Sequence, residues 1–552
     1  MAFTAQDSLI IQVNEQWIKD HGRVRLTLFE DAGPRSYTGA DLSALAMGWA
    51  ARLQQAGLRE GDRLALVLPT CEDFLGALFG AWMLGATVVP LAPPTPGQDH
   101  ERLRLLRTLV KADPRLALVT PENRLLLPDA PCLILTPDDL PQATGDARLP
   151  AGPGGGIIQF SSGSTGHPKG AALGWTQLLA NTWAIRDVLE AGPQDVLVSW
   201  LPLHHDLGLI GKLIFSQVVG CHLVLMPPQH FIQHPIRWLR ALSDYGATIS
   251  VAPNFAYQLC TRLSDSHLSG LDLSRWRAAM VGAEPIRPAT LRAFAERMQP
   301  HGFDPGAFVA AYGLAEATLG VAMTRPGAGM QVERLTRAAY EEHRSAVLAG
   351  NPDAAAQEIV CVGPPMPGVT LAIRDQGGAD LPEREIGEIW AQSPSIMDGY
   401  FGDAAASQEA LQGGFLRTGD LGYLSAGRLY VTGRVKDLII RGGCKYHPQD
   451  IEAIAEALPE VRNGGAIAFS YSQEFGAPEH LVMHVETRLQ VAVEREALHR
   501  AIRTRVMEHV GLRVDEVILL PPRSLPKTTS GKVRRSEARQ RHIESRRPLQ
   551  DA

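Results

Sequence analysis

The sequence predicts an α/β protein in which a large N-terminal region of stacked α/β layers is followed by a small mobile α+β domain. Three observations predict it. Helical patterns alternate with short β-rich runs, the arrangement that gives parallel sheets covered on both faces. The alternation occurs twice, on either side of a Pro/Gly-rich segment at 149–156. After Gly433 it gives way to a shorter pattern of helix, two strands and helix.

Taken in order, Asp41 to Gly57 reads as a helix and Arg63 to Leu68 as a strand. Phe74 to Leu91 carries no charge, but it holds Gly76, Gly80, Gly85 and Pro90. It therefore reads as a buried helix running into a strand at Thr87, and no membrane span is expected. Ile157 to Phe160 is a strand, and Asp195–Trp200, His222–Met226, Thr248–Val251 and Ala278–Val281 form the second set. No repeat of fixed period points to a solenoid. Beyond Val435, Pro448 opens a helix with Ile451, Ile454, Ala455 and Leu458 on one face, and Pro459 stops it. Strands at 466–469 and 481–485 follow, then a helix from Glu494 to Val510 that Gly511 ends. The domains are read as 1–434 and 435–552.

Composition bounds the function. A chain of 552 residues, 45% apolar and 20% charged, is ordinary globular material with room for several domain-sized units. With 53 Lys and Arg against 59 Asp and Glu, the net charge of −6 gives no field to attract nucleic acid or anionic membrane. Six scattered cysteines form no CxxC pair or zinc spacing, and Met1–Ser8 lacks a basic start followed by an apolar run. Reduced thiols and a cytoplasmic location are expected.

The chemistry concentrates in a few segments. Ser161-Ser-Gly-Ser-Thr-Gly-His-Pro-Lys-Gly170 follows a strand, and its small residues let backbone N–H groups and hydroxyls surround an anion. Ser162, Gly163, Thr165 and Lys169 are the candidate phosphate contacts. Pro168 stands where the P-loop needs Gly, so the ordinary kinase or ATPase reading loses its support. Tyr312 offers a ring to stack on a base, Gly313 allows close approach, and Glu316 is a carboxylate able to hold Mg²⁺ near phosphates. Asp420 reads as a turn residue able to accept from both ribose hydroxyls, with Arg434 at the junction beyond it. Ala283 and Glu284 read either as an adenine-side contact or as a helix start. Lys532 sits on a Gly-flanked loop, placed to close over developing negative charge. His204-His205-Asp206 invites a metal site or a triad. Adjacent side chains point to opposite sides of a strand, so the two histidines make poor joint ligands, and no GxSxG elbow supplies a nucleophile.

In this order the segments resemble the adenylate-forming superfamily of acyl-CoA synthetases, luciferases and nonribosomal peptide adenylation domains. Trp200–Gly211, Ala252–Tyr257, Tyr312–Thr318 and Lys445–Glu452 look like fatty acyl-AMP ligases in particular, as does Ala315 where acyl-CoA ligases carry Thr. The resemblance implies ATP-dependent activation of a medium- or long-chain fatty acid to acyl-AMP with release of pyrophosphate. Transfer to the phosphopantetheine of an acyl carrier protein, or of a polyketide or peptide synthase carrier domain, would follow. It implies ATP and Mg²⁺ as cofactors, His205 beside the acyl carboxylate, Lys532 as the catalytic cation and Lys436 as the hinge of the small domain. It also implies an insertion at about 325–357 that restrains that domain, which the sequence reads as mixed-charge with helical stretches. No carrier domain follows residue 552, so a separate acceptor is expected. The rivals are an acyl-CoA synthetase and a nucleotide-binding scaffold without activity. Proximity to the motifs makes Trp200, Ile210, Phe231 and Phe255 candidate walls of an acyl pocket.

Overall fold

The computed structural model of the chain describes residues 9–97, 99–142, 154–160, 168–336, 339–340, 345–350, 356–441, 444–471, 480–527 and 533–546. Two large sheets organise the N-terminal region. The eight-stranded one runs Gly320–Met323, Phe308–Gly313, Ala278–Val281, Ile249–Ala252, Val196–Ser199, His222–Leu225, Val24–Glu30 and Gly33–Thr38 from edge to edge. Its six interior strands pair in parallel and only the edge pairs are antiparallel, as βαβ crossovers dictate. The strand Ile249–Ala252 is buried along its whole length, as a strand covered on both faces must be.

The second sheet has seven strands and centres on Gly156–Phe160, Thr87–Pro90, Arg63–Val67 and Leu116–Val119. The uncharged segment resolves into the helix Glu72–Met83, buried from Phe74 onward, and the strand Thr87–Pro90. Gly76 and Gly80 let it lie against Trp49: a Cβ at Gly76 would stand 2.2 Å from the indole, and one at Gly80 2.7 Å from Trp49 Cβ. One apolar core runs from Leu9 to Leu429, joining both sheets to a third, five-stranded sheet that includes Gly387–Gln392, Phe415–Ser425 and Arg428–Arg434.

Beyond residue 434 a separate core begins. The helices Pro448–Glu456 and Ala492–Val510 pack on one face of a three-stranded sheet, Val461–Tyr471, His480–Thr487 and Glu516–Leu520. Arg535–Arg546 covers the other face through Ala538. The chain is thus an α/β protein with a small α+β unit at its C-terminal end.

Within 325–357, Val332–Thr336 forms an antiparallel pair with Ala356–Val360, and Leu335 and Ile359 pack with Tyr340, Tyr423 and Tyr430. Three local expectations need correction. Residues 201–205 form a turn, not a strand, so the argument from diverging side chains does not apply to the histidines. Asp420 lies within the strand Phe415–Ser425, beside Gly419 at φ 71°. Glu284 precedes its helix by several residues, since Pro288 supplies the first turn.

Candidate active site

The site forms where strand ends of the two large sheets meet the five-stranded sheet. Tyr312 ends the strand Phe308–Gly313, and its hydroxyl donates to Asp420 Oδ2 at 2.8 Å. Arg434 Nε donates to the other oxygen of Asp420 at 2.7 Å, from the strand antiparallel to it. Asp420 is 5% exposed. Burial and the neighbouring carboxylate push the Tyr312 hydroxyl far above its ordinary range, while Asp420 holds the Arg434 guanidinium firmly charged. A carboxylate has about four lone-pair positions, and two donors leave room for further hydroxyls.

Past Gly313 the chain makes a tight 3₁₀ turn at Ala315–Ala317 and then a left-handed step at Thr318, φ 67° and ψ −58°. Such a conformation costs about 1–3 kcal/mol in a residue with a side chain. Hydrogen bonds hold it. The buried Thr318 hydroxyl donates to Ser395 O at 2.6 Å, and Asn181 accepts from Gly320 N at 3.0 Å while donating to Gly320 O at 2.8 Å. The turn presents Glu316, whose Oε1 accepts from the Tyr400 hydroxyl at 2.9 Å. Its Oε2 accepts nothing among the described residues. Lys169 Nζ lies 4.9 Å from the centre of the Tyr400 ring, so the last cation of the glycine-serine loop shares a partner with Glu316. Tyr400 reaches this position because Gly399 and Tyr400 pair with Gly170–Leu173.

His205 caps the helical turn Asp206–Gly208, its Nδ1 accepting from Leu207 N at 3.3 Å and standing 2.5 Å from Asp206 Oδ1. Next to it, His204 is half-buried, and burial pulls its pKa down to about 3. Gln159 donates to His204 O at 3.1 Å, tying the strand before the Ser/Gly loop to the histidine turn. Ala283 takes φ 67°, and Gly282 has no room for a side chain because a Cβ would meet Ala311 O at 2.5 Å. Asn254 bridges Pro285 O and Arg287 N at 2.7 and 3.1 Å, which fixes the Gly282–Pro285 loop.

The small unit meets this region through polar groups. Arg287 pairs with the buried Glu456, and Gln357 donates to Asp450 at 2.8 Å. Lys527, five residues before Lys532, lies within electrostatic reach of Glu284 and Glu456. Lys436 is exposed in the short turn Val435–Asp437 that joins the two regions. Ser162, Gly163, Thr165 and Lys532 lie outside the described residues.

The structure thus brings together Tyr312, Asp420 and Arg434 on one side of the 312–318 turn, and Glu316 and Lys169 around Tyr400 on the other. Tyr400, Asn181 and Gln159 were not foreseen. Their contacts span 84, 139 and 45 residues, so no local spacing announces them. Trp200 stacks on Phe231 with ring centres 4.0 Å apart and meets Phe255 edge-on at 5.8 Å, so three of the four candidate wall residues form one cluster.

Similarity to known proteins agrees with this geometry. The AMP-binding enzyme family matches residues 15–401. Long-chain-fatty-acid–AMP ligase FadD26 of Mycobacterium marinum is 32% identical over 87% of each chain. The medium-chain-fatty-acid–[acyl-carrier-protein] ligase JamA of Moorena producens is 32% identical, covering 92% of this chain and 90% of its own. A Caulobacter vibrioides protein named provisionally as an acyl-CoA synthetase is 35% identical over 91% of this chain and 90% of its own. A solved structure from work on fatty acyl-adenylate ligases of E. coli and L. pneumophila superposes with a TM-score of 0.91 at 34% identity, covering 98% of both chains. The chain belongs to the AMP-binding, adenylate-forming enzymes, among the fatty acyl-AMP ligases.

Proposed function

We propose that this protein uses ATP to convert a medium- or long-chain fatty acid to acyl-AMP, releasing pyrophosphate. It then transfers the acyl group to the phosphopantetheine thiol of an acyl carrier protein or of a synthase carrier domain. The observation that carries this reading is the convergence of Tyr312, Asp420 and Arg434 from three separate segments into one hydrogen-bonded group. That group suits a nucleoside: a ring edge for the base and a preset carboxylate for the ribose hydroxyls.

The reaction joins two anions, so the main task is neutralising charge where the carboxylate oxygen approaches the α-phosphorus. Lys169 and the Ser162–Thr165 loop would hold the phosphate tail. Glu316, whose second oxygen accepts nothing among the described residues and which shares Tyr400 with Lys169, fits as the residue that would hold Mg²⁺, which would supply charge shielding to the departing pyrophosphate. His205 would orient the acyl carboxylate, and Ala283 and Glu284 would border the adenine. Lys532 would bridge the incoming carboxylate and the α-phosphate, and the position of Lys527 near Glu284 favours that reading. As the oxygen–phosphorus bond forms, the bond to pyrophosphate breaks and the electron pair leaves with it.

The second half-reaction needs the small unit to turn about Lys436 and withdraw Lys532. The segment 325–357 would restrain that turn, since Gln357 holds Asp450 and the Tyr340 ring lies 5.2 Å from His447. This supports a carrier protein over free CoA as acceptor. The test is deletion of 325–357: the expected result is acyl-AMP formation retained with new acylation of free CoA. An intact protein that already acylates CoA efficiently would favour the synthetase reading instead.

A further inference from the structure

The fully buried cations of the large region differ in one respect. Arg25 is 1% exposed, and its guanidinium donates to Gly220 O at 3.0 Å, to Gln16 Oε1 at 3.2 Å and to Gln217 O at 3.3 Å, with Asp20 at 3.5 Å. Lys212 is equally buried, yet among the described residues its Nζ contacts only the Met280 sulfur, at 3.7 Å. A thioether is a weak acceptor, and an ammonium has three protons to donate. No carboxylate stands within ion-pair distance among the described residues. Burial drags the amine down to about pKa 7, against an opposing pull from the nearby Cys221.

Its place in the fold is specific. Lys212 lies in a π-helical segment, Leu209–Ile214, every residue of which is buried. Such wide turns cost hydrogen-bond geometry and recur at functional sites. The segment continues from the turn that His205 caps, seven residues earlier, a rise of about 10 Å if wound as an α-helix. Gly211 packs so closely on the turn after Glu316 that a Cβ there would lie 2.8 Å from Leu319 Cδ2. Met280 belongs to the strand that runs into Gly282 and Ala283. The amine therefore lies on the segment that leads away from the His205 turn, against the strand that ends at Gly282 and beside the turn after Glu316.

Resting on the proposed adenylation, we infer that Lys212 is a specificity residue for the distal part of the acid, and that the substrate carries a second oxygen acceptor, a carboxylate or hydroxyl, on its chain. An acceptor oxygen supplies the partner the amine lacks. A plain alkyl chain would leave a buried ammonium unpaired, and sites built for a polar group discriminate strongly against analogues without it.

The experiment compares kcat/KM for acyl-AMP formation with plain fatty acids and their ω-hydroxy and ω-carboxy analogues over a ladder of lengths, using wild type and Lys212→Met. Wild type is expected to favour one oxygenated series by at least about tenfold at its best length. Lys212→Met should reverse that preference and raise the Tm of the ligand-free protein, because a lysine serving only packing would lower it when replaced. Wild type using plain acids at least as well at every length overturns the inference, whether or not the variant folds, while leaving the adenylation reading in place. No adenylate from any acid overturns the adenylation reading itself.

Discussion

The two regions of this chain are held together in opposite ways. Up to Leu429 one apolar core spans three sheets, and inside it Tyr312, Asp420 and Glu316 are fixed by hydrogen bonds before any substrate arrives. The C-terminal unit has its own cores and meets the rest through Arg287–Glu456, Gln357–Asp450 and the rings of Tyr340 and His447. Polar interfaces of this kind can be broken and remade at little cost, whereas an apolar core cannot. On the proposed function the difference would separate two tasks: the large region would keep the nucleotide groups preset, and the small unit would bring Lys532 in and take it away.

Lys532→Ala tests that division most severely. Losing a single charge aimed at the transition state costs about 10²- to 10³-fold in rate. Acyl-AMP formation measured by pyrophosphate release should fall by that factor while ATP affinity stays near wild type. An equally active variant would break the division. Asn181→Ala addresses the large region. Removing its amide strands Gly320 N and two carbonyls in a buried turn, at a cost of about 3 kcal/mol. The expected readout is a lower melting temperature together with a lower kcat, since the same turn presents Glu316.

Acid should sharpen the contrast from the other side. Burial lowers the pKa of His484 in the small unit to about 4, and His542, 3.3 Å away, shifts in the same direction. The unfolded chain takes up a proton below about pH 6.5 that the folded one refuses until near 4, so stability falls across that window by at most about 3 kcal/mol. Thermal unfolding at pH 7 and pH 5 is expected to move the small unit's transition down. A transition that does not shift would contradict a neutral, buried His484. Arg287→Ala is the mildest case. The Arg287 side chain is 37% exposed, so screening reduces what the pair with Glu456 contributes to about 1 kcal/mol. Faster proteolysis around Lys436 with unchanged adenylation is the expected result.

Much of this was legible in the sequence where local pattern carries it. Alternation of helix and strand gave the layers, and Pro448, Pro459 and Gly511 marked the ends of the C-terminal helices. The order of Thr165, Glu316, Asp420 and Lys532 pointed to adenylation. Contacts between distant segments were not legible: nothing near Tyr400 announces its bond to Glu316, and nothing near Asn181 announces the turn it holds. The segment Leu416–Asp420 reads as a turn, but the strand continues through Gly419 and pairs Asp420 with Arg434. The segment 325–357 reads only as mixed-charge with helical stretches possible, and nothing local marks the strand at 332–336 that burial of Leu335 against Tyr340, Tyr423 and Ile359 selects. In each case tertiary packing overrode a weak local preference.

The central claim is that this enzyme forms acyl-AMP and passes its acyl group to a carrier-protein thiol, with AMP as the leaving group, in preference to CoA. Incubation with ATP, Mg²⁺ and a ladder of fatty acids, with CoA or a phosphopantetheinylated carrier protein, followed by mass detection of each acyl product, tests it directly. Acyl-AMP in every reaction and acyl-carrier only where carrier is supplied, with no acyl-CoA, is the predicted result; abundant acyl-CoA, or no adenylate with any acid, would contradict it.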